Sequence, residues 1–192
     1  MTTFLLHGGA TSKDLPGNKK FFAQFTQLVN KSQVKILLCY WAREKNNWQK
    51  VAERDIRKIL ANTDKKVEFH LVEDVADLLA KIDDYDVLYV AGGQAELLEP
   101  YYQKLVPLKD KLKNKVFIGS SMGAFMAAKS YVISYDGDGR VKHEGLGFLP
   151  FQVLCHWDLE NKKEFKLNLL AEADNHRPIL TLNEGEFVTI YQ

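Results

Sequence analysis

Residues Gly119-Ser120-Ser121-Met122-Gly123 match the pattern G-x-S-x-G. In that spacing the central serine stands on a sharp strand-to-helix turn. Small residues two before and two after it let the strand and the helix approach closely. The backbone N–H of Met122, helped by the helix N-terminus, then points at a developing oxyanion. The chemistry is acyl transfer with Ser121 as nucleophile. A glycine-rich strand-to-helix turn with a capping serine has the same pattern without the chemistry, and Ser120 suits such a capping or spectator place. The setting favours the nucleophile. Val116–Gly119 reads as a buried strand, and Gly123-Ala124-Phe125-Met126-Ala127-Ala128 as the start of a tightly packed helix.

A serine of this kind needs a base. His156 ends the apolar run Phe151–Cys155, and sites of parallel sheets collect at strand ends. A half-buried structural histidine is the competing reading of His156, and His7, which ends another strand beside Gly8 and Gly9, is the second candidate. His70 falls inside a strand, and His143 and His176 fall at turns. A carboxylate should orient the base and stabilise its charged form. Asp136, Asp138, Glu144 and Asp158 are the nearby choices, and the residues leave that choice open. Asp136-Gly137-Asp138-Gly139 is also plain turn chemistry, and it lacks the spaced ligand set of a calcium loop, so no metal site is expected. Gly92-Gly93 closes the strand before the one bearing Ser121, where a backbone N–H can complete an oxyanion hole. Gly92, Gln94 and Ser120 are the candidate substrate contacts.

These residues need a frame, and the sequence predicts one. Thr3–His7, Val34–Tyr40, Val67–Val72, Asp86–Ala91 and Val116–Gly119 read as strands. Between them, Phe21, Phe22, Phe25, Leu28 and Val29 recur at helical spacing, and Trp48–Leu60, Val75–Ile82 and Glu96–Leu112 read as helices, the last interrupted by Pro100 and Pro107. Strands that alternate with helices and are mostly apolar along their length predict a doubly wound, mostly parallel sheet in a three-layer α/β fold. After Lys129 the pattern changes. Tyr131–Ser134 and Arg140–His143 flank an Asp-Gly turn, Phe151–Cys155 is a strand and Glu164–Ala173 a helix. Pro178–Leu182 and Glu186–Tyr191, joined through Asn183-Glu184-Gly185, predict a C-terminal β-hairpin.

The bulk composition narrows the function classes. A chain of 192 residues, 46% hydrophobic, supports one full core, so residues 1–192 are expected to form one domain. With 26 basic and 25 acidic residues there is no charge excess to suggest a nucleic-acid or membrane-surface partner. The lysines at 109, 111, 113 and 115 are interrupted by Asp110, Leu112 and Asn114 and read as a solvated helix end. The start of the chain lacks the features of a signal peptide, and no apolar run approaches the length of a membrane span, so a cytoplasmic location is expected. Cys39 and Cys155 both lie in apolar runs, which suits two buried thiols in a reducing compartment. No Rossmann or P-loop motif is present.

Four segments in order resemble peptidase family S51, within the class I glutamine amidotransferase-like (flavodoxin-like) superfamily. They are the early strand ending in Gly8-Gly9; Ala91-Gly92-Gly93-Gln94 with Leu97-Leu98; Gly119-Ser120-Ser121-Met122-Gly123-Ala124; and Gly145-Leu146-Gly147-Phe148-Leu149 leading to His156. The resemblance implies Ser121 as nucleophile, His156 as base, Asp136 as acid and Gly93 with the N–H of Met122 as oxyanion hole. It implies cleavage of a small peptide or isopeptide next to aspartate, through an acyl-enzyme and without cofactor or metal. The chain has Ser-Ser-Met-Gly-Ala where the family usually has Trp-Ser-Ala-Gly-Ala, and Gln94 where it has Asn. A homodimer is compatible with this architecture. An esterase-type hydrolase and a non-catalytic binding protein on the same fold are the rival readings.

Overall fold

The structure is a computed structural model that describes residues 1–133, 141–174 and 176–192. Its larger sheet contains β1 (Thr3–His7), β2 (Gln33–Cys39), β3 (Lys66–Leu71), β4 (Val87–Val90), β5 (Val116–Ser120) and, from the far end of the sequence, β10 (Phe187–Tyr191). The order is β10-β1-β5-β4-β2-β3. The first five strands are parallel, and β10 lies antiparallel on β1. Strands β1, β4 and β5 are buried at every residue, which is why they read as continuous apolar runs instead of alternating ones.

Helix α1 (Pro16–Gln27) starts with proline at its first turn, where the missing N–H costs nothing. It buries Phe21, Phe22 and Phe25, whose rings meet at 5.3–5.5 Å. It packs on α2 (Trp48–Leu60), which buries Trp48, Ala52, Asp55 and Ile59 along one face. The Asp74 carboxylate caps α3 (Val75–Lys81) by accepting from Asp77 N–H. The long helix expected over Glu96–Leu112 is broken into α4 (Ala95–Leu98), a 3-10 turn over Glu99–Leu105 and α5 (Leu108–Lys111). Pro100 and Pro107 stand at the joints, where neither could donate to a continuous helix.

The remaining strands form a second sheet. β6 (Ser130–Val132), β7 (Lys142–Glu144), β8 (Gln152–Leu154) and β9 (Ile179–Thr181) are ordered β7-β6-β8-β9. The pair β6–β7 is antiparallel as expected, with Tyr131 opposite His143, while β8 and β9 run parallel to their neighbours. Helix α7 (Lys163–Ala173) packs on β6. Helix α6 (Met122–Ala127) lies between the sheets, touching β1, β4 and β5 on one side and β8 on the other. All six of its residues are buried, which accounts for its small and apolar composition.

The expected C-terminal hairpin does not form. β9 and β10 belong to different sheets, because each finds another partner: β9 pairs with β8, and β10 with the free edge of β1. Asn183-Glu184-Gly185 does make a tight turn, with Glu186 N–H donating to Asn183 O at 3.1 Å and Gly185 at φ +75°. That turn carries the chain from the second sheet to the first. Among the described residues no helix is long and apolar enough to cross a membrane.

Candidate active site

The register of the large sheet brings three turns together. His7 is opposite Ser120 on adjacent parallel strands, and Gly119 is opposite Val90. The segments that follow, Gly8-Gly9, Ser121 and Ala91-Gly92-Gly93, therefore leave the sheet side by side at its C-terminal edge, where doubly wound sheets place their ligands.

Ser121 adopts φ 50° and ψ −107°, a conformation an L-residue rarely takes. Strain of about 1–3 kcal/mol is typical of such a position, and here the close contacts of the flanking glycines enforce it. Ser121 N–H donates to His7 O at 2.9 Å, and Ser121 O accepts from Phe125 N–H. Gly119 and Gly123 permit the turn by contact, not by backbone freedom. A Cβ on Gly119 would stand 2.4 Å from Gly123 O, and one on Gly123 would stand 2.0 Å from Val90 O.

His156 reaches Ser121 from the second sheet. It follows β8 in a left-handed conformation (φ 55°, ψ 34°), and its N–H donates to Gly8 O at 3.0 Å. Its Nε2 lies 3.1 Å from Ser121 Oγ, and its Nδ1 lies 2.9 Å from Glu184 Oε1. A carboxylate only accepts, so Nδ1 carries the proton and Nε2 is left to accept from the Ser121 hydroxyl. Gly9, at φ +114°, passes so close to the imidazole that a Cβ there would stand 2.3 Å from Cε1.

The carboxylate in contact with His156 is Glu184, in the turn between β9 and β10. Its Oε2 meets Lys13 Nζ at 2.5 Å, and its N–H donates to Asp158 Oδ1 at 2.9 Å. Burial works against the charged carboxylate, but the hydrogen bonds from Lys13 and His156 outweigh it and hold Glu184 below the ordinary glutamate range. None of the four expected carboxylates is described in that place. Asp158 holds the backbone of Glu184, and Glu144 pairs with Lys142 and Lys129. Asp136 and Asp138 lie outside the described residues. The sequence signal for Glu184 was a turn motif, Asn-Glu-Gly, that reads as a hairpin corner.

His7 is fully buried and has a different task. Its Nδ1 accepts from Gly9 N–H at 3.0 Å, and its Nε2 donates to Asn18 Oδ1 at 2.9 Å. Burial, first, and the nearby His156 push its pKa down to about 4, against the opposing Asn18 bond. Asn18 in turn donates to Ala10 O and Lys13 O, which fixes the loop that delivers Lys13 to Glu184. Ser120 is buried with Oγ 3.4 Å from His7 Nδ1.

A cavity of about 190 Å³ opens over Ser121 and His156, with Gly92, Gly93, Ser120, Thr11 and Arg43 among its walls. Gly92 lies directly against Ser121, for a Cβ there would meet Ser121 Cβ at 2.9 Å. Met122 is the first residue of α6, so its N–H has no acceptor within the helix. Gln94 donates its N–H to Ala42 O and lines the neighbouring groove instead of this cavity. Cys155, next to the base, is a buried free thiol, and burial pushes its pKa up. Among the described residues no group of three or more His, Cys, Asp or Glu side chains is placed to hold a metal ion.

Comparison with known proteins agrees with this architecture. A sequence model of peptidase family S51 matches residues 4–192. A protein of Streptomyces coelicolor (strain ATCC BAA-471 / A3(2) / M145) named Peptidase E is 29% identical over 145 residues, covering 68% of this chain. The match spans 59% of that relative's length. Two solved structures share the fold across 99% of this chain at 18% identity. One is a peptidase from an acI-B1 actinobacterium, with a TM-score of 0.66 over 83% of that protein. The other is a protein of Listeria monocytogenes EGD-e provisionally described as a peptidase E, with a TM-score of 0.65 over 94% of its length.

Proposed function

The chain belongs to peptidase family S51, and on that premise we propose that it hydrolyses a small peptide or isopeptide bond with Ser121 as nucleophile. The observation that carries this reading is the line Ser121 Oγ–His156 Nε2–His156 Nδ1–Glu184 Oε1, with contacts of 3.1 and 2.9 Å, at the floor of a cavity.

His156 Nε2 takes the Ser121 proton as Oγ attacks the substrate carbonyl, and Glu184 stabilises the imidazolium that results. The N–H groups of Met122 and Gly93 are the proposed donors to the tetrahedral oxyanion. Each such donor is worth roughly 3 kcal/mol of transition-state stabilisation. The imidazolium then gives its proton to the leaving amine, and the C–N bond breaks to leave an ester on Ser121. Water, deprotonated by His156, attacks the ester; the acid is released and the proton returns to Ser121. A bond next to aspartate is the proposed preference, on the strength of the resemblance to the family and of Arg43, a cation in the cavity wall.

Intact-mass labelling with a fluorophosphonate tests the assignment. One adduct is expected on the wild type and none on Ser121→Ala. A well-folded wild type that takes up no label, or a Ser121→Ala protein that turns over Asp-containing dipeptides at the wild-type rate, overturns it.

A further inference from the structure

The cavity over Ser121 opens beside a larger one. Arg43 and Gly93 are walls of both the 190 Å³ cavity and a groove of about 530 Å³. The far side of that groove is lined by Lys50, Arg54 and Arg57 of α2. These residues stand at i, i+4 and i+7, so they form one stripe along the helix, opposite the buried Ala52, Asp55 and Ile59. Lys50 and Arg57 are exposed. Like charges at this spacing repel and weaken the helix that bears them. Arg54 is offset by Asp55, to which its Nε and a terminal nitrogen donate at 2.9 and 2.7 Å. Among the described lining residues Glu44 is the one carboxylate, so the groove is strongly positive on a chain whose net charge is +1.

Arg43 adds an independent observation. Its backbone is fixed: the N–H donates to Tyr40 O at 2.9 Å, and the carbonyl accepts from Trp48 Nε1 at 2.7 Å. Its Nε is nevertheless buried with no hydrogen-bond partner among the described residues. Buried donors are rarely left unmatched, and a guanidinium is best matched by a carboxylate. The unmatched donor sits where the cavity over Ser121 meets the groove.

We propose that the groove binds an acidic peptide chain running on from the scissile bond, with one carboxylate on Arg43 and further ones along Lys50 and Arg57. The substrate is then an acidic oligopeptide, not a dipeptide alone. This rests on the peptidase reading. From Lys50 to Arg57 the helix advances about 10 Å, the length of about three residues of extended peptide. A peptide is favoured over a nucleic acid because the stripe leads away from a serine set up for acyl transfer.

Fluorescence anisotropy on the Ser121→Ala protein, which cannot turn the ligand over, measures the affinity of labelled Asp-Glu-Glu-Glu against Asp-Gln-Gln-Gln. The acidic peptide is expected to bind about tenfold more tightly at low salt. That advantage should shrink to about twofold in a background of Lys50→Gln and Arg57→Gln, two exposed positions whose change spares the fold, whereas Arg43→Gln, which removes the partner of the Asp that both peptides carry, should weaken both. Equal affinity for the two peptides, or an advantage untouched by the Lys50/Arg57 pair, overturns the proposal. A single-stranded oligonucleotide of the same charge that binds as tightly overturns the peptide as occupant. Fluorophosphonate labelling of the wild type separates the two levels. A labelled serine with no charge preference removes the groove alone. An unlabelled serine with a charge preference removes the assignment of the bound peptide as substrate.

Discussion

Ser121 leaves a five-residue strand buried along its whole length in the centre of a six-stranded sheet. His156 leaves a three-residue strand in a small sheet, where Val132, Leu154 and Leu170 form a separate cluster of buried side chains. Glu184 belongs to neither sheet, but to the turn that joins them. Ser121 is thus positioned by dense packing, whereas His156 and Glu184 are positioned by hydrogen bonds that cross from one sheet to the other. Gly8 O holds His156 N–H, and Gly9 O holds Gly185 N–H at 3.2 Å. The Gly8-Gly9 turn of the large sheet is therefore the template on which the charged half of the site is laid. Changes in that turn should be read out at His156 and not at Ser121.

The largest effect expected from this contrast is at Glu184. Glu184→Gln should lower kcat roughly 10³-fold with little change in Tm, since the amide keeps the shape but not the charge that supports the imidazolium. Asp136→Asn, made in parallel, should leave kcat within about threefold of the wild type. Steady-state kinetics decides between them, and the reverse ranking would move the acid back to Asp136.

A smaller effect is expected from His7, which ties the turn to α1. An unfolded chain protonates this histidine near pH 6.5, whereas the buried ring does so only at about 4. Between those values the unfolded state binds more protons. The contribution of His7 is therefore intact above pH 6.5 and is lost as the pH falls toward 4, by about 3 kcal/mol in all. Urea unfolding at pH 7 and pH 4.5 should show the loss, and His7→Gln should flatten it. An unchanged slope in that variant would show that other groups govern acid stability.

Gly9→Ala should cost less stability than the full His7 effect, about 2 kcal/mol, from a φ that alanine resists. It should also slow turnover by roughly ten- to a hundredfold, because the new methyl group displaces the His156 ring. Fluorophosphonate labelling rates and a thermal melt test both parts together. A variant that melts early but labels at the wild-type rate would break the view of the turn as a template.

The parts of the site legible in the sequence are those built from neighbouring residues. The elbow around Ser121 is written in consecutive small residues between an apolar strand and an apolar helix. His156 is marked by its place at a strand end. Glu184 is hidden in the sequence for the same reason that the sequence suggests a C-terminal hairpin that does not form. Two short strands around Asn-Glu-Gly look locally like a hairpin, and nothing in their own residues says that one pairs with β8 and the other with β1. The local expectation is a carboxylate close to His156 in sequence, whereas Glu184 lies 28 residues beyond it, brought back by pairing between distant strands. The stripe on α2 is regular in spacing, yet it takes on meaning only beside Arg43 and the cavity.

Strand β10 docks on β1, so Thr3 faces Tyr191 and the two most distant stretches of the chain become neighbours. The turn bearing Glu184 is anchored on both flanks, by β9 on β8 before it and by β10 on β1 after it. The carboxylate proposed to support His156 is therefore a joint product of both sheets, and loosening either pairing should reach it.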